Sequence, residues 1–351
     1  MKPKTVSKGQ AAKNSKPRGA TRKRALEIPP EEARELHYYL RLTREVDERL
    51  VKLHRQGQIG GNHYPAVGQE ATTVVPAFFM EDDDFVGPSH RELGVFITKG
   101  RGSPRSMPLV QVFAQVFTKS TSQDEGRNGP SHWGWTPERI LEHCSNLGTQ
   151  IPVAAGAALS FKMRGLPLVA FAFIGEGGAS KGDFHEACNF VGIHKLPFVI
   201  IIQNNFWAES VHISLQTGND NLSDRAIGYG YEGIRIDGND VIQCYQTFKY
   251  AIDKARTGGG PTMIQCDTYR WYGHSMVDPA NYRTGSEVSY WKELDPVARF
   301  ERWLVDNGVM TQEEIDQRVK EINEQIFAAI DEAKSAPDPE PETFLDKVYA
   351  D

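Results

Sequence analysis

The sequence predicts an α/β fold: a mainly parallel sheet with helices on both faces, extended by helices at its N- and C-terminal ends. Three observations carry this reading. Residues 168–174 and 196–202 are continuous apolar runs of strand length, the pattern of parallel strands buried on both faces. The stretch between them reads as a helix to about His194, which makes one β-α-β unit with a right-handed crossover. Residues 233–236 and 261–266 are two further strands, and the helical stretch 241–256 lies between them.

Taken in order, the chain begins with 24 residues that hold nine Lys or Arg and no acid. They contain almost no large apolar side chain, which predicts a disordered, solvated tail. A docking arm for an acidic partner and an organelle transit peptide are the competing readings. A transit peptide would form an amphipathic helix, and the apolar face is missing. Residues 25–335 then read as one domain, and 336–351 as a C-terminal extension opening on a proline-rich acidic link. Residues 31–56 predict a helix, with Leu36, Leu40, Leu50 and Leu53 at helical spacing and Gly57 as its stop. GGNHYPAVGQEA (60–71) is a glycine-rich loop entering another helix, and Asp82-Asp83-Asp84 precedes a short strand. Residues 108–119 predict a helix and 120–135 a long polar loop. Residues 150–164 form an Ala/Gly-rich helix whose small side chains suit close helix packing. Ser180 and Asp183 have capping-box spacing, which puts the start of the central helix at Ser180. Residues 206–224 and 270–289 read as loops, the second mobile until a ligand orders it. Residues 295–307 form a helix closed by Gly308, and Thr311-x-x-Glu314 caps a final helix running to about Lys334. Its apolar positions 315, 319, 322, 326, 330 and 333 make one packing stripe.

Charge and cysteine usage narrow the function classes. The net charge is −6, so the chain beyond the basic tail sits near −15, a poor match for nucleic acid. No apolar run reaches the ~18 residues that span a bilayer, and no hydrophobic signal segment is present. Cys144, Cys188, Cys244 and Cys266 lie far apart with no C-x-x-C, which argues against structural zinc and for a reduced, cytoplasmic setting.

The chemistry gathers at two strand ends. Glu176 leaves the carboxyl end of the first central strand, and Asn205 leaves the end of the second, 29 residues later. Ligands of open α/β sheets bind at that edge. A carboxylate, an amide oxygen and a nearby backbone carbonyl are hard oxygen donors suited to Mg²⁺ or Ca²⁺, and Mg²⁺ completes its shell with phosphate and water. Gly175-Glu176-Gly177-Gly178 and the following helix start would accept those phosphates. A dinucleotide site is the plainer alternative, but the third glycine of G-x-G-x-x-G is missing and amides stand where a ribose-binding acid belongs. There is no G-x-x-x-x-G-K-[ST] either.

The G-E-G segment followed about thirty residues later by Asn204-Asn205 resembles the signature of thiamine-diphosphate enzymes. The likeness extends over roughly residues 35–350. SNLGTQIPVAAGAA, IRIDGNDV, TYRWYGHSMVDP, NYRTGSEVSYW and FLDKVY resemble the alpha subunit of the decarboxylating component of 2-oxo acid dehydrogenase complexes. The resemblance implies a thiamine-diphosphate-binding fold, with Glu176, Asn205 and the Trp207 carbonyl holding Mg²⁺ on the cofactor. It implies that Arg91 meets the diphosphate beside His90, that Gly177 and Gly178 approach it, and that Ser145 and Leu147 contact the aminopyrimidine. Arg270 and His274 match the active-site loop, with His274 as the catalytic residue, and Ser275 matches a serine that kinases modify in mitochondrial relatives. The implied reaction is oxidative decarboxylation of a small 2-oxo acid, branched-chain favoured and pyruvate close behind, with acyl transfer to a lipoyl-bearing transacylase. The implied partner is a separate beta subunit, two copies of each, which brings the glutamate that activates the cofactor. The alternatives are an acetoin dehydrogenase alpha subunit and a non-catalytic cofactor-binding subunit. Three positions depart from the family: Ser89 where branched-chain members carry Gln, Gln203 for a charged residue, and Trp207 for tyrosine. His63 is one residue out of step with a pyruvate-type histidine and is left out of the site. Cys144, Thr149 and Gln150 fall where relatives bind potassium, for which cysteine is a poor ligand.

Overall fold

A computed structural model describes residues 28–143, 145–346 and 348. The basic tail and Cys144 lie outside the described residues. The elements are α1 (Pro30–Arg55), α2 (Glu70–Phe78), β1 (Phe85–Gly87), α3 (Leu93–Thr98), α4 (Leu109–Val116), α5 (Gln150–Met163), β2 (Ala170–Gly175), α6 (Gly182–Ile193) and β3 (Phe198–Asn204). They continue with β4 (Trp207–Ala208), β5 (Val211–His212), α7 (Arg225–Gly228), β6 (Glu232–Asp237), α8 (Val241–Arg256), β7 (Thr262–Asp267), α9 (Gly285–Glu293), α10 (Pro296–Asp306) and α11 (Gln312–Ser335).

The main sheet has five strands in the order β1-β2-β3-β7-β6, and every neighbouring pair is parallel. The apolar runs explain its layering. Phe171, Phe173, Val199 and Ile201 point to a core shared with residues of α1, α2, α4, α8, α10 and α11. Ala170, Ala172, Ile174, Phe198, Ile200 and Ile202 point to a second core under α5 and α6. Alternate residues are therefore apolar on both faces, as parallel strands between helical layers require. Gly175 pairs with Gln203, so β2 and β3 end side by side and Glu176 and Asn205 leave the same edge.

Three expectations are corrected. The central helix does not start at Ser180: Gly178–Ser180 is a 3-10 turn, and α6 begins at Gly182 with Lys181 as N-cap and no side-chain cap. Lys181, extended at φ −80° and ψ 152°, separates that turn from the helix. The 270–289 stretch is not all loop, because α9 begins at Gly285, capped by Thr284, whose hydroxyl accepts from the Glu287 amide. The 206–224 stretch contains the small hairpin β4–β5. The C-terminal capping box is present as expected, Thr311 and Glu314 each accepting the other's backbone N–H. Of the stripe on α11, Ile315, Ile322, Ile326, Ile330 and Ala333 are buried and Val319 is half-buried.

Candidate cofactor site at the carboxyl edge of the sheet

The ends of β2 and β3 open into a cavity of about 270 Å³. His90, Arg91, Leu147, Glu176, Gly177, Gly178, Asn205, Trp207 and His274 line it, so nine of the eleven residues singled out from sequence meet at one place. Ser145 does not: it is exposed, and its hydroxyl lies 3.1 Å from His132 Nε2. Arg270 stands behind the wall, fully buried, donating to Glu209 O at 2.6 Å and to the Tyr282 hydroxyl at 2.9 Å. His63 is also elsewhere, held between Asp47 Oδ1 at 2.7 Å and Ser131 Oγ at 3.1 Å.

Glu176 is buried, and its Oε2 accepts from the Asn205 amide N–H at 3.3 Å. Burial pushes its carboxyl above the usual range, and hydrogen bonds and the Arg270 charge pull against that. The two adjacent asparagines have separate duties. Asn204 donates to Asp267 Oδ1 and so ties β3 to β7, whereas Asn205 turns to the cavity and accepts from Trp207 N at 3.2 Å. Phe206 sits between Asn205 and Trp207 at φ 69°, which makes the sharp exit from the strand. The Trp207 indole is committed to packing: its Nε1 donates to Glu287 and its ring lies against Tyr282 and His212. Gly177 and Gly178 owe their missing side chains to the protein itself. A Cβ would come within 2.5 Å of Ala208 Cβ at the first and 2.5 Å of Ile174 Cδ1 at the second.

Positive charge collects near Glu176. Arg91 follows β1 and is buried, donating to Pro65 O at 2.8 Å and to His274 O at 2.5 Å. Burial and the neighbouring Arg270 charge lower its guanidinium to about 9. His274 is pushed down to about 4 by burial, Arg91 and Arg270, so it is a neutral imidazole at pH 7. His90 is likewise held well below its ordinary value by burial and by Arg91. The Tyr64 ring stands 5.0 Å from His90 and 5.3 Å from His274 and braces both. Tyr64 belongs to no sequence motif; its only signal is its place in the glycine-rich loop, next to His63. The His274 loop is folded around Asp278, whose carboxylate accepts from the backbone of His274 and Ala280 and from the Tyr282 hydroxyl. Ser275 is buried beneath it.

One buried acid beside the site gives a pH prediction. Glu92 accepts from Arg91 N, but its Oε1 has no partner, and burial raises its carboxyl from 4.5 to about 7. Its neutral form suits the fold, so its stabilisation is complete below about pH 4.5 and is lost as pH rises through about 7. Glu92→Gln should flatten that slope and stabilise the protein at pH 8 by on the order of 2 kcal/mol. Urea unfolding at pH 5 and pH 8 checks it; an unchanged slope contradicts it.

The sequence profile of the family described as dehydrogenase E1 component matches residues 38–342. The chain belongs to the dehydrogenase E1 component family. It is 37% identical over 336 residues to the 2-oxoisovalerate dehydrogenase subunit alpha of Bacillus subtilis (strain 168), covering 94% of this chain and 98% of that one. It is 35% identical over 338 residues to the 3-methyl-2-oxobutanoate dehydrogenase subunit alpha of Mycobacterium tuberculosis (strain CDC 1551 / Oshkosh), covering 95% and 86%. It is 34% identical over 313 residues to the pyruvate dehydrogenase E1 component subunit alpha of Staphylococcus aureus (strain Mu50 / ATCC 700699), covering 88% and 80%.

Thiamine diphosphate goes with the E1 component family, and the residues present fit its anionic end. Two buried guanidiniums, Arg91 in the wall and Arg270 behind it, repel one another, and the Arg270 Nε has no partner. A diphosphate would relieve that repulsion. Among the described residues no group of three or more His, Cys, Asp or Glu is arranged for a metal. Glu176 and Asn205, which line the cavity, would offer a carboxylate and an amide oxygen, donors of a kind that suits Mg²⁺.

Proposed function

We propose that this chain is the alpha subunit of a 2-oxo acid dehydrogenase E1 component. It binds Mg²⁺-thiamine diphosphate through Glu176, Asn205 and the Trp207 carbonyl. The observation that carries this is the buried Glu176–Asn205 pair at adjacent strand ends, lining one cavity with Arg91. The cofactor, when bound, supplies the nucleophilic carbon and the electron sink that let a 2-oxo acid lose CO₂. The chain holds the diphosphate end with Arg91, backs it with Arg270 and presents Leu147 as the wedge beneath the cofactor. His274, neutral and at the cavity wall, is positioned to exchange a proton with the acyl acceptor, a lipoyl group on a transacylase.

In this reading residues 25–335 form the cofactor-binding domain, 336–351 an extension, and the protein works in the cytoplasm. Among the described residues no helix is long and apolar enough to cross a membrane. A separate beta subunit completes the site in a tetramer of two alpha and two beta chains. The outer helices support such a partner. On α5 Val153 is 49% and Met163 78% exposed, and on α6 Ile193 is 66% exposed, large apolar side chains left open to water.

The names of the relatives favour a branched-chain substrate, with pyruvate next. The test is to purify the chain with its beta partner and measure CO₂ release from 3-methyl-2-oxobutanoate and pyruvate with an artificial electron acceptor. Faster turnover of the branched acid is expected; turnover of neither acid by the folded pair overturns the proposal.

A further inference from the structure

Gln216 belongs to no motif of the sequence, yet it reaches the centre of the site. It follows the 3-10 turn Ile213–Leu215, in the loop beyond the β4–β5 hairpin. Its side chain turns back to the sheet edge, where Nε2 donates to Val211 O at 2.7 Å and to Glu176 Oε1 at 3.3 Å. Since Asn205 N donates to the other oxygen, the Glu176 carboxylate is held at both ends, from β3 and from this loop. The bond to Val211 anchors the amide to the hairpin, so the carboxylate inherits the rigidity of two separate elements.

The carbonyl end of Gln216 is the second observation. Its Oε1 is buried and has no hydrogen-bond partner, and it lies 3.5 Å from where a Cβ on Gly177 would sit. A buried acceptor left unpaired is costly, because it has given up its bond to water and gained none. A side chain that places one beside the metal-ligating position leaves it for a donor that arrives with the ligand. Mg²⁺ keeps several of its waters when it binds, and coordinated water is a strong donor.

We infer that Gln216 is the positioning residue for Glu176: its N–H fixes the carboxylate for the metal, and its carbonyl accepts from water carried in by the hydrated ion. The inference rests on the reading of Glu176 as a Mg²⁺ ligand. Partners that orient a ligating side chain are typically worth about tenfold to a hundredfold in metal affinity.

The test uses the chain with its beta partner and Mn²⁺ as the probe ion, in saturating thiamine diphosphate. Bound metal is counted from the loss of the free-ion electron paramagnetic resonance signal. Gln216→Met keeps the length of the side chain and removes both polar ends. It should weaken Mn²⁺ by about tenfold to a hundredfold while the unfolding midpoint of the metal-free protein stays close to wild type. If Gln216→Met does not fold, Gln216→Asn carries the same expectation, because its amide stops one methylene short of Glu176. Wild-type Mn²⁺ affinity in either folded variant overturns the assignment. A wild-type pair that binds thiamine diphosphate equally with and without metal overturns the Glu176 reading itself, and this inference with it.

Discussion

Replacing Asn205 with alanine is expected to abolish metal-dependent binding of thiamine diphosphate and leave the fold intact. Inside the protein the Asn205 side chain makes one bond that shapes the chain, accepting from Trp207 N. Losing one such bond costs about 1 kcal/mol, too little to unfold a domain of this size. Toward the ligand the loss is far greater, because the amide oxygen is one of three protein donors in the proposed set. An affinity loss of at least about a hundredfold is expected, read by titrating thiamine diphosphate at fixed Mg²⁺. The neighbouring residue is the control. Asn204 ties β3 to Asp267 on β7, so Asn204→Ala should lower the unfolding midpoint more than Asn205→Ala and weaken the cofactor less. The reverse ranking would remove the metal assignment.

The largest loss of stability is expected at Arg44. Its guanidinium, 8% exposed, donates to both Glu70 oxygens and to both Asp295 oxygens, and its face lies 4.4 Å from the Trp271 ring centre. One residue thereby joins α1, α2 and the N-terminus of α10. Arg44→Met would leave two carboxylates facing each other, one of them 1% exposed. Removing one member of a buried ionic group costs about 3–5 kcal/mol, because the other members lose their countercharge. Adding Glu70→Gln to Arg44→Met should return part of that loss. Urea unfolding measures both, and a single variant within 1 kcal/mol of wild type, on the ~1 kcal/mol scale of one ordinary hydrogen bond, would contradict the account.

The β-α-β unit was legible because both strands are apolar on both faces, a pattern that needs no tertiary information. Glu176 and Asn205 followed from it, since strand ends in register fix where the next residues emerge. Gly177 and Gly178 were legible as site-lining residues, but their reason was not: Gly177 makes room for Ala208, 31 residues on in the β4–β5 hairpin, and Gly178 for Ile174 at the end of β2. Helix α9 was hidden because none of its residues is fully buried, so it shows no apolar stripe. Thr284-x-x-Glu287 did carry capping-box spacing and was the signal available. Arg270 and His274 are four residues apart, yet one is locked behind the wall and the other lines it; spacing alone does not tell the two sides of a loop apart. Tyr64 and Gln216 reach the site only through distant partners, His90 and His274 for one and Glu176 for the other. No local pattern announces such contacts.

The central claim is that this chain carries the metal and diphosphate half of a thiamine site and turns over only with its beta partner. The most direct test is CO₂ release from 3-methyl-2-oxobutanoate by the chain alone and by the chain with its beta partner, with thiamine diphosphate and Mg²⁺ each omitted in turn. The account predicts turnover only when both chains, the cofactor and the metal are together. Turnover by the purified chain alone, or by the pair at full rate after the metal is stripped, would contradict it.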